Sequence, residues 1–325
     1  MLLAGDVGGT KTLLGIFEQA APRPIAIAVQ TYSTAAFASF ADILAAFARD
    51  VQHPAAIAAA AIGAAGPVIG DRARLTNITW DIGAGDVSAC LGTARVALMN
   101  DLEALAASVD VLAREDAVVL QQGIAHPEGN AVVIAAGTGL GQAYLHRVDG
   151  RFRPVASEGG HADFAPRSDR EIELLTMLRA ERGRAEVEDI LCGPGLVNVH
   201  RLTHASRSCR AVQSPPVDAW PAAISATALS GECAACVEAL DIFVRVYGAE
   251  AGNLALRGVA TAGVYVGGGI APKILPALQD GRFLDAFRAK GTMATLVGAM
   301  PVSVIINPAA GLIGAAVRAQ ELLES

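Results

Sequence analysis

One local pattern occurs twice in this chain, and each time an apolar run meets glycines and turns straight back into an apolar run. The first copy reads Leu2-Leu3-Ala4-Gly5-Asp6, Val7-Gly8-Gly9-Thr10, then Lys11-Thr12-Leu13-Leu14-Gly15-Ile16-Phe17. The second reads Ala131 to Ala136, Gly137-Thr138-Gly139-Leu140-Gly141, then Gln142 to Val148. A strand, a glycine turn and a returning strand, given twice among helical segments, predict two related α/β halves rather than one extended sheet.

The remaining segments fill out that frame. Helical spacing covers Phe40 to Arg49, a buried strand is expected over Ala55 to Ile62, and Val96 to Met99 is a short apolar strand. Asn100-Asp101 then opens a helix toward Leu112, so a carboxylate stands where strand passes to helix, the place where open α/β sheets hold ligands. In the second half, Ser168 to Arg182 is a helix with a capping-box spacing at Ser168 and Glu171 and Gly183 at its end. Residues 205–221 read as a surface loop and Ser225 to Leu256 as helical. A strand at Gly263 to Val266 enters Gly267-Gly268-Gly269, a strand covers Val302 to Ile306, and a last helix covers Ala309 to Leu323.

Composition narrows the class. A chain of 325 residues can hold two domains, and 53% hydrophobic against 18% charged residues is a globular mixture. Net charge is 25 − 32 = −7 with no basic cluster, a sign that repels polyanions, so nucleic acid is not an expected partner. A nucleotide could still bind through backbone N–H groups and a metal ion. Five cysteines without a dense framework suggest a reducing cytosol, and the opening residues lack the basic start of a signal peptide, so a cytoplasmic location is expected. The uncharged stretches Pro54 to Gly70 and Gly291 to Val317 are broken by glycine and proline, and no membrane association is expected.

Of two familiar phosphate loops, the first fails and the second fits poorly. A Walker loop needs glycine directly before its lysine, and Thr10 precedes Lys11. A dinucleotide fingerprint must open a helix, whereas Gly137-x-Gly139-x-Gly141 runs into strand-like Gln142 to Leu145. Glycine hairpins nonetheless expose backbone N–H groups that phosphate oxygens can approach, with Asp6 placed to hold a hydrated Mg²⁺ and Thr10 and Thr138 offering hydroxyls.

The segments Gly5 to Thr10, Ala136 to Gly141 and Val266-Gly267-Gly268-Gly269-Ile270-Ala271-Pro272 resemble the phosphate-1, phosphate-2 and adenosine motifs of the actin-like ATPase superfamily, which includes hexokinases. Asn77-Ile78-Thr79-Trp80, Asn100-Asp101, Glu158 to Pro166 and Gly193 to Asn198 are similar to bacterial glucokinases of the proteobacterial type, in the family's order along nearly the whole chain. The nine-residue block around His161 is the most specific of these.

The resemblance implies a two-domain actin-like ATPase (ribonuclease H-like) α/β fold with an interdomain cleft. The small domain would be residues 1–111 with 302–325 and the large one 112–301. It implies transfer of the γ-phosphoryl of ATP to the 6-hydroxyl of glucose with Mg²⁺, in glycolysis, by a homodimer. By the same resemblance Asp101 is the catalytic base, and Asn77, Asn100, Asp101, Glu158, His161 and Glu188 bind the sugar. Gly5, Asp6, Val7, Gly8, Gly9, Thr10, Gly137, Thr138, Gly139, Gly268 and Gly269 hold the nucleotide, with Asp6 on Mg²⁺ through water. Lys11-Thr12, where several relatives have Asn-Ala, leaves the γ-phosphate contacts open. Two other readings are a kinase for another hexose and a non-catalytic sugar sensor, although such regulators usually add an N-terminal helix-turn-helix and the first strand here starts at Leu2.

The remaining chemistry reads as structural. Cys233-x-x-Cys236 lacks a second cysteine pair or a neighbouring histidine in the sequence, so two packed helix cysteines are expected. His200 and His204, at i and i+4, have Arg201 where a zinc protease needs Glu and are expected on a surface face. The clustered-cysteine zinc motif of the related regulator-and-kinase branch is missing, so a transient Mg²⁺ is the one metal expected.

Overall fold

Each duplicated stretch is a β-hairpin and each seeds its own sheet in the computed structural model, which describes residues 1–52, 56–75, 78–205 and 208–324. The chain divides into two units. The first comprises Met1–Asp116, Arg151–Pro154 and Asn307–Ser325, and the second Ala117–Gly150 and Val155–Ile306. The strand ending at Ile305 therefore falls in the second unit, and the return to the first begins at Asn307.

In the first unit β1 (Leu2–Val7) pairs antiparallel with β2 (Lys11–Glu18), which pairs in turn with β3 (Ile25–Ser33). The Ser39 hydroxyl accepts the Asp42 N–H and starts α1 (Phe40–Val51), whose Phe40, Ile43, Leu44 and Phe47 form one buried stripe. Then β4 (Ala59–Ala64) lies parallel to β1 with Asp6 opposite Gly63. A small antiparallel sheet of β5 (Val68–Ile69), β6 (Arg72–Arg74) and β7 (Asp81–Gly83) precedes α2 (Ala84–Leu91). Parallel β8 (Val96–Asn100) leads directly into α3 (Asp101–Ala107). The main sheet is ordered β3-β2-β1-β4-β8.

The second unit repeats the scheme. It contains β9 (Ala117–Gln121), β10 (Ala131–Ala136), β11 (Leu140–Val148), β12 (Arg151–Ser157, whose first four residues the division counts with the first unit), α4 (Asp169–Arg182), α5 (Gly193–His204), α6 (Trp220–Ser230), α7 (Ala234–Gly258), β13 (Gly263–Gly267), α8 (Leu275–Gln279), α9 (Arg282–Arg288), α10 (Ala294–Ala299) and β14 (Val302–Ile305). Its sheet is ordered β12-β11-β10-β13-β14-β9, so both sheets place a three-strand meander beside two parallel strands. The core gathers Ile134, Leu196, Val199, Ile224, Phe243, Tyr247 and Phe283.

The last helix, α11 (Ala310–Glu324), belongs to the first unit. Its Ala315, Ala316 and Ala319 pack on Ala59, Ala61 and Ala104, and at Gly314 a Cβ would overlap the Ala104 carbonyl oxygen. The alanine-rich composition thus lets helix and sheet approach closely.

Three expectations change. The helical stretch from Ser225 to Leu256 is two helices, because Gly231 takes a left-handed φ of 74° that ends α6. The strand expected from Ala55 begins at Ala59, and Ala55 lies outside the described residues. His200 and His204 are not on a surface face: both are buried in α5, and His204 Nε2 faces Cys233 and Cys236, which therefore do have a neighbouring histidine. No helix among the described residues is long and apolar enough to cross a membrane.

Candidate functional site

In the first unit, two carboxylates meet at one end of the sheet. Asp6 is the penultimate residue of β1, and Asp101 follows β8, with β4 between the two strands. At the β4 position opposite Asp6, a Cβ on Gly63 would come 3.9 Å from the Asp101 Cα, so glycine there lets the strand end and α3 close together. Burial, then the charge of Asp101, push the Asp6 carboxyl up to about 6, while Lys11 pulls it down. Desolvation also raises Asp101, although its residue is open to solvent, and the backbone N–H of Leu102 opposes that rise.

The start of α3 is capped by two neighbouring side chains. Asn100 Oδ1 accepts the Leu102 N–H at 2.9 Å and Asn100 Nδ2 donates to Gly66 O at 3.0 Å, so both ends of that amide are engaged. Asp101 Oδ1 accepts the same N–H at 2.8 Å.

The turn beside these acids is braced from below. Thr34 Oγ1 donates to Gly8 O at 2.8 Å and lies 2.9 Å from the buried Thr12 hydroxyl, while the Gly8 N–H donates to Lys11 O. Gly8, Gly9 and Thr10 form the open turn, but Gly5 and Val7 do not: they sit within β1 between two neighbours. Gly5 is glycine for packing, since a Cβ would come 2.8 Å from Ile62 Cδ1. Gly311 at the start of α11, absent from the sequence reading, leaves the room that Asp6 occupies, since its Cβ would stand 2.9 Å from Asp6 Oδ2.

In the second unit, the glycine turn and the His161 block are joined by one carboxylate. Glu188 Oε2 accepts the Leu140 N–H at 2.7 Å, and a Cβ on Gly139 would come 2.7 Å from the same oxygen. Residues 160–163 run beside 185–188, with Glu188 N donating to Gly160 O and Val187 N to Ala162 O. This brings Glu158, His161 and Glu188 together. His161 Nδ1 lies 2.6 Å from Glu186 Oε2, a hydrogen bond that raises the imidazole above its ordinary value, with Glu188 and Glu158 adding to the rise. Glu158 is exposed and its side chain does not cap the turn that it opens.

Gly137, Thr138 and Gly139 lie between β10 and β11, and a Cβ on Gly137 would meet nothing within 4 Å. The third glycine turn packs directly under them. Gly268 has φ 82° and its Cβ would overlap the Ala136 carbonyl oxygen, so only glycine fits, while Gly269 faces open space. The Gly193 N–H donates to Gly137 O at 2.9 Å, which sets the N-terminus of α5 against this turn. Tyr247, fully buried on α7, ties the turn's base by accepting the Ala136 N–H and contacting Gly267 O. Neither Gly193 nor Tyr247 was marked as part of the site by its sequence pattern, because both act through pairings distant along the chain. Asn77 lies outside the described residues.

The arrangement can do two things chemically. Paired acids beside an open glycine turn suit a hard, oxygen-liganded cation, whose charge would relieve the mutual repulsion of Asp6 and Asp101. A glycine turn abutting a helix N-terminus suits phosphate oxygens.

A family model described as "Glucokinase" matches residues 3–322. The glucokinase of Synechocystis sp. is 39% identical, over 98% of this chain and 98% of that protein. The crystal structure of a glucokinase from an Antarctic psychrotroph is 29% identical, covers 98% of each chain and superposes with a TM-score of 0.86. A ROK-family glucokinase from Streptomyces griseus, solved in complex with glucose and AMPPNP, shares the fold at 22% identity and a TM-score of 0.64, covering 98% of this chain and 99% of that one.

Proposed function

The chain belongs to the glucokinase family, and from that premise we propose that Asp101 is the base which takes the proton from the 6-hydroxyl of glucose as the γ-phosphoryl of ATP is transferred to it. The protein is an ATP-dependent hexose kinase of two-domain actin-like ATPase fold. The single observation that carries the residue assignment is the meeting of Asp6 and Asp101 at one sheet end, with desolvation raising both carboxyls.

Deprotonating the hydroxyl makes a better nucleophile only if the base is itself ionised and close. At Asp101, desolvation raises the carboxyl and the Leu102 N–H opposes that rise by favouring the charged form. Its N–H-bound Oδ1 is fixed, so Oδ2 is the oxygen that accepts the proton. Asn100 positions the pair by holding α3 to Gly66. Glu158 and Glu188 accept sugar hydroxyl protons, and His161, oriented by Glu186, offers Nε2 to another.

Gly8, Gly9, Thr10, Gly137, Thr138, Gly139, Gly268 and Gly269 are the nucleotide's neighbours. Of the eight, the open side-chain space at Gly137 and Gly269 suits a ligand that approaches the backbone. Gly5 and Val7 contribute by shaping β1. Asp6 is the residue for Mg²⁺, held through water, and the ion would neutralise phosphate charge when bound. We place the enzyme in the cytoplasm, in glycolysis, as a homodimer.

The test is ADP release over a hexose panel with ATP and polyphosphate as donors. Glucose with ATP is expected to give the highest kcat/KM. Equal turnover of several hexoses would move the reading to a general hexokinase, and tight sugar binding without turnover would move it to a sensor.

A further inference from the structure

The second unit holds a cluster of soft donor atoms that no step of phosphoryl transfer uses. His200 and His204 stand one turn apart on α5, with stacked rings 3.7 Å apart, and their residues are 6% and 4% exposed. Cys209 follows α5, and Cys236 lies in the first turn of α7; both are buried. The donor atoms of these four residues lie within 4.8 Å of one another.

Their orientation is set rather than incidental. His204 Nδ1 lies 3.0 Å from His200 O, and a carbonyl can only accept, so Nδ1 carries the hydrogen and Nε2 presents a lone pair. That Nε2 is 3.8 Å from Cys236 Sγ and 3.4 Å from Cys233 Sγ, and Cys209 Sγ is 3.6 Å from Cys236 Sγ. A backbone carbonyl bonded to one ring nitrogen, with the other nitrogen aimed at thiols, is the usual arrangement around a histidine-bound metal. Tetrahedral zinc, with Zn–S of about 2.3 Å and Zn–N of about 2.0–2.1 Å, needs donor separations of roughly 3.3–3.8 Å. Among the four donors, His204 Nε2–Cys236 Sγ at 3.8 Å and Cys209 Sγ–Cys236 Sγ at 3.6 Å lie in that range, and all the donor atoms lie within 4.8 Å of one another.

A second observation points independently to a missing ligand. His200 Nε2 is buried and has no hydrogen-bond partner, a condition that costs roughly 1–3 kcal/mol if nothing relieves it. A metal ion at the cluster would relieve it. Charge decides which four donors serve: two imidazoles and two thiolates neutralise a dication, so the filled centre is neutral in a buried place. Using partly exposed Cys233 in place of His200 would leave it anionic.

We propose that His200, His204, Cys209 and Cys236 form a buried structural site for a zinc-class divalent ion. Binding converts two thiols to thiolates and releases two protons, with no change of oxidation state. All four positions are filled by protein, so the site is structural and not catalytic. It fastens the end of α5 to the start of α7, and the other end of α5 is the one that meets Gly137. Imidazole and thiolate select against Mg²⁺, which separates this site from the one at Asp6.

The experiment uses the full chain, kept reduced and loaded with Zn²⁺ or Co²⁺. About one tightly held zinc per chain is expected by elemental analysis, with a fall in Tm of at least roughly 5 °C when a strong chelator removes it. The cobalt form should show a thiolate-to-metal charge-transfer band and a tetrahedral visible spectrum, a readout on the unsubstituted chain that does not require any variant to fold. Cys236→Ser and His204→Asn should abolish both. No metal retained after loading, full retention in Cys236→Ser, or a Cys209–Cys236 disulfide persisting in the reduced protein would each overturn the proposal.

Discussion

The hairpin of the first unit carries Asp6 one residue before its last strand pair, and the hairpin of the second carries Ala135 at the corresponding place. Strand order and turn position are otherwise alike, so the difference is one of charge. In the first unit, the acid is desolvated and faces a second acid, and both carboxyls rise. In the second, the turn offers backbone, and its carboxylate, Glu188, gives one oxygen to the Leu140 N–H. One scaffold thus ends in paired acids in the first unit and in open backbone in the second by changing few side chains.

The comparison breaks most visibly at Asp101. Asp101→Asn keeps the shape and removes the proton acceptor, so kcat should fall by roughly 10²–10⁴ while glucose binding by calorimetry stays near wild type. Turnover within a few-fold of wild type would remove Asp101 from the chemistry.

Asp6→Asn tests the acid end in two directions. A carboxyl whose folded pKa is raised to about 6 binds more protons folded than unfolded, so stability is lost as pH rises from about 4 through 6. The cost above that range is on the order of 2–3 kcal/mol. Asn should remove that slope and stabilise the free protein at pH 8, while raising the KM for magnesium nucleotide by about ten-fold or more. Urea melts across pH 4–8 check the first expectation, and steady-state kinetics check the second.

The glycines sharpen the comparison at the backbone end. Gly268→Ala, at positive φ and against the Ala136 carbonyl, should destabilise by roughly 2–4 kcal/mol in urea. Gly137→Ala meets open space and should change stability by under about 0.5 kcal/mol, yet raise the KM for ATP several-fold. Equal effects of the two on stability would contradict the packing described.

The smallest effect is expected at Glu186. Its hydrogen bond is the largest cause of the raised His161 imidazole, so Glu186→Gln should bring the His161 titration back toward its ordinary range in an NMR experiment. The stability tied to that shift is present at low pH and lost as pH rises through the folded pKa. Little change in kcat is expected.

The strands of both hairpins, β13 and β14 were legible as short apolar runs bounded by glycine or proline, α1 and α11 from helical spacing, and α4 from its capping box and the glycine that ends it. Strand β3 was not, since nearly all of Ile25–Ser33 is exposed at a sheet edge and no alternation distinguishes it. β9 and β12 share the difficulty as partly exposed strands at the edges of the second sheet. Within the site, Asp6, Asp101, Glu158, His161 and the glycine turns could be marked by motif, whereas Gly311, Tyr247 and the contact that Gly193 of the Gly193 to Asn198 motif makes with Gly137 could not. Their signal is a distance to a residue far along the chain.

What the sequence determined by itself was therefore whatever depends on neighbours in order: turn chemistry, buried periodicity, the strand-to-helix junction at Asn100-Asp101 and the family motifs. Only the tertiary structure decided which acids share a sheet end, that Glu188 gives one oxygen to the Leu140 N–H, and that two histidines and two cysteines converge in one core. Desolvation and donor geometry are properties of a place in space, and residues separated by up to 36 positions, as His200 and Cys236 are, reach that place only when α5 and α7 pack.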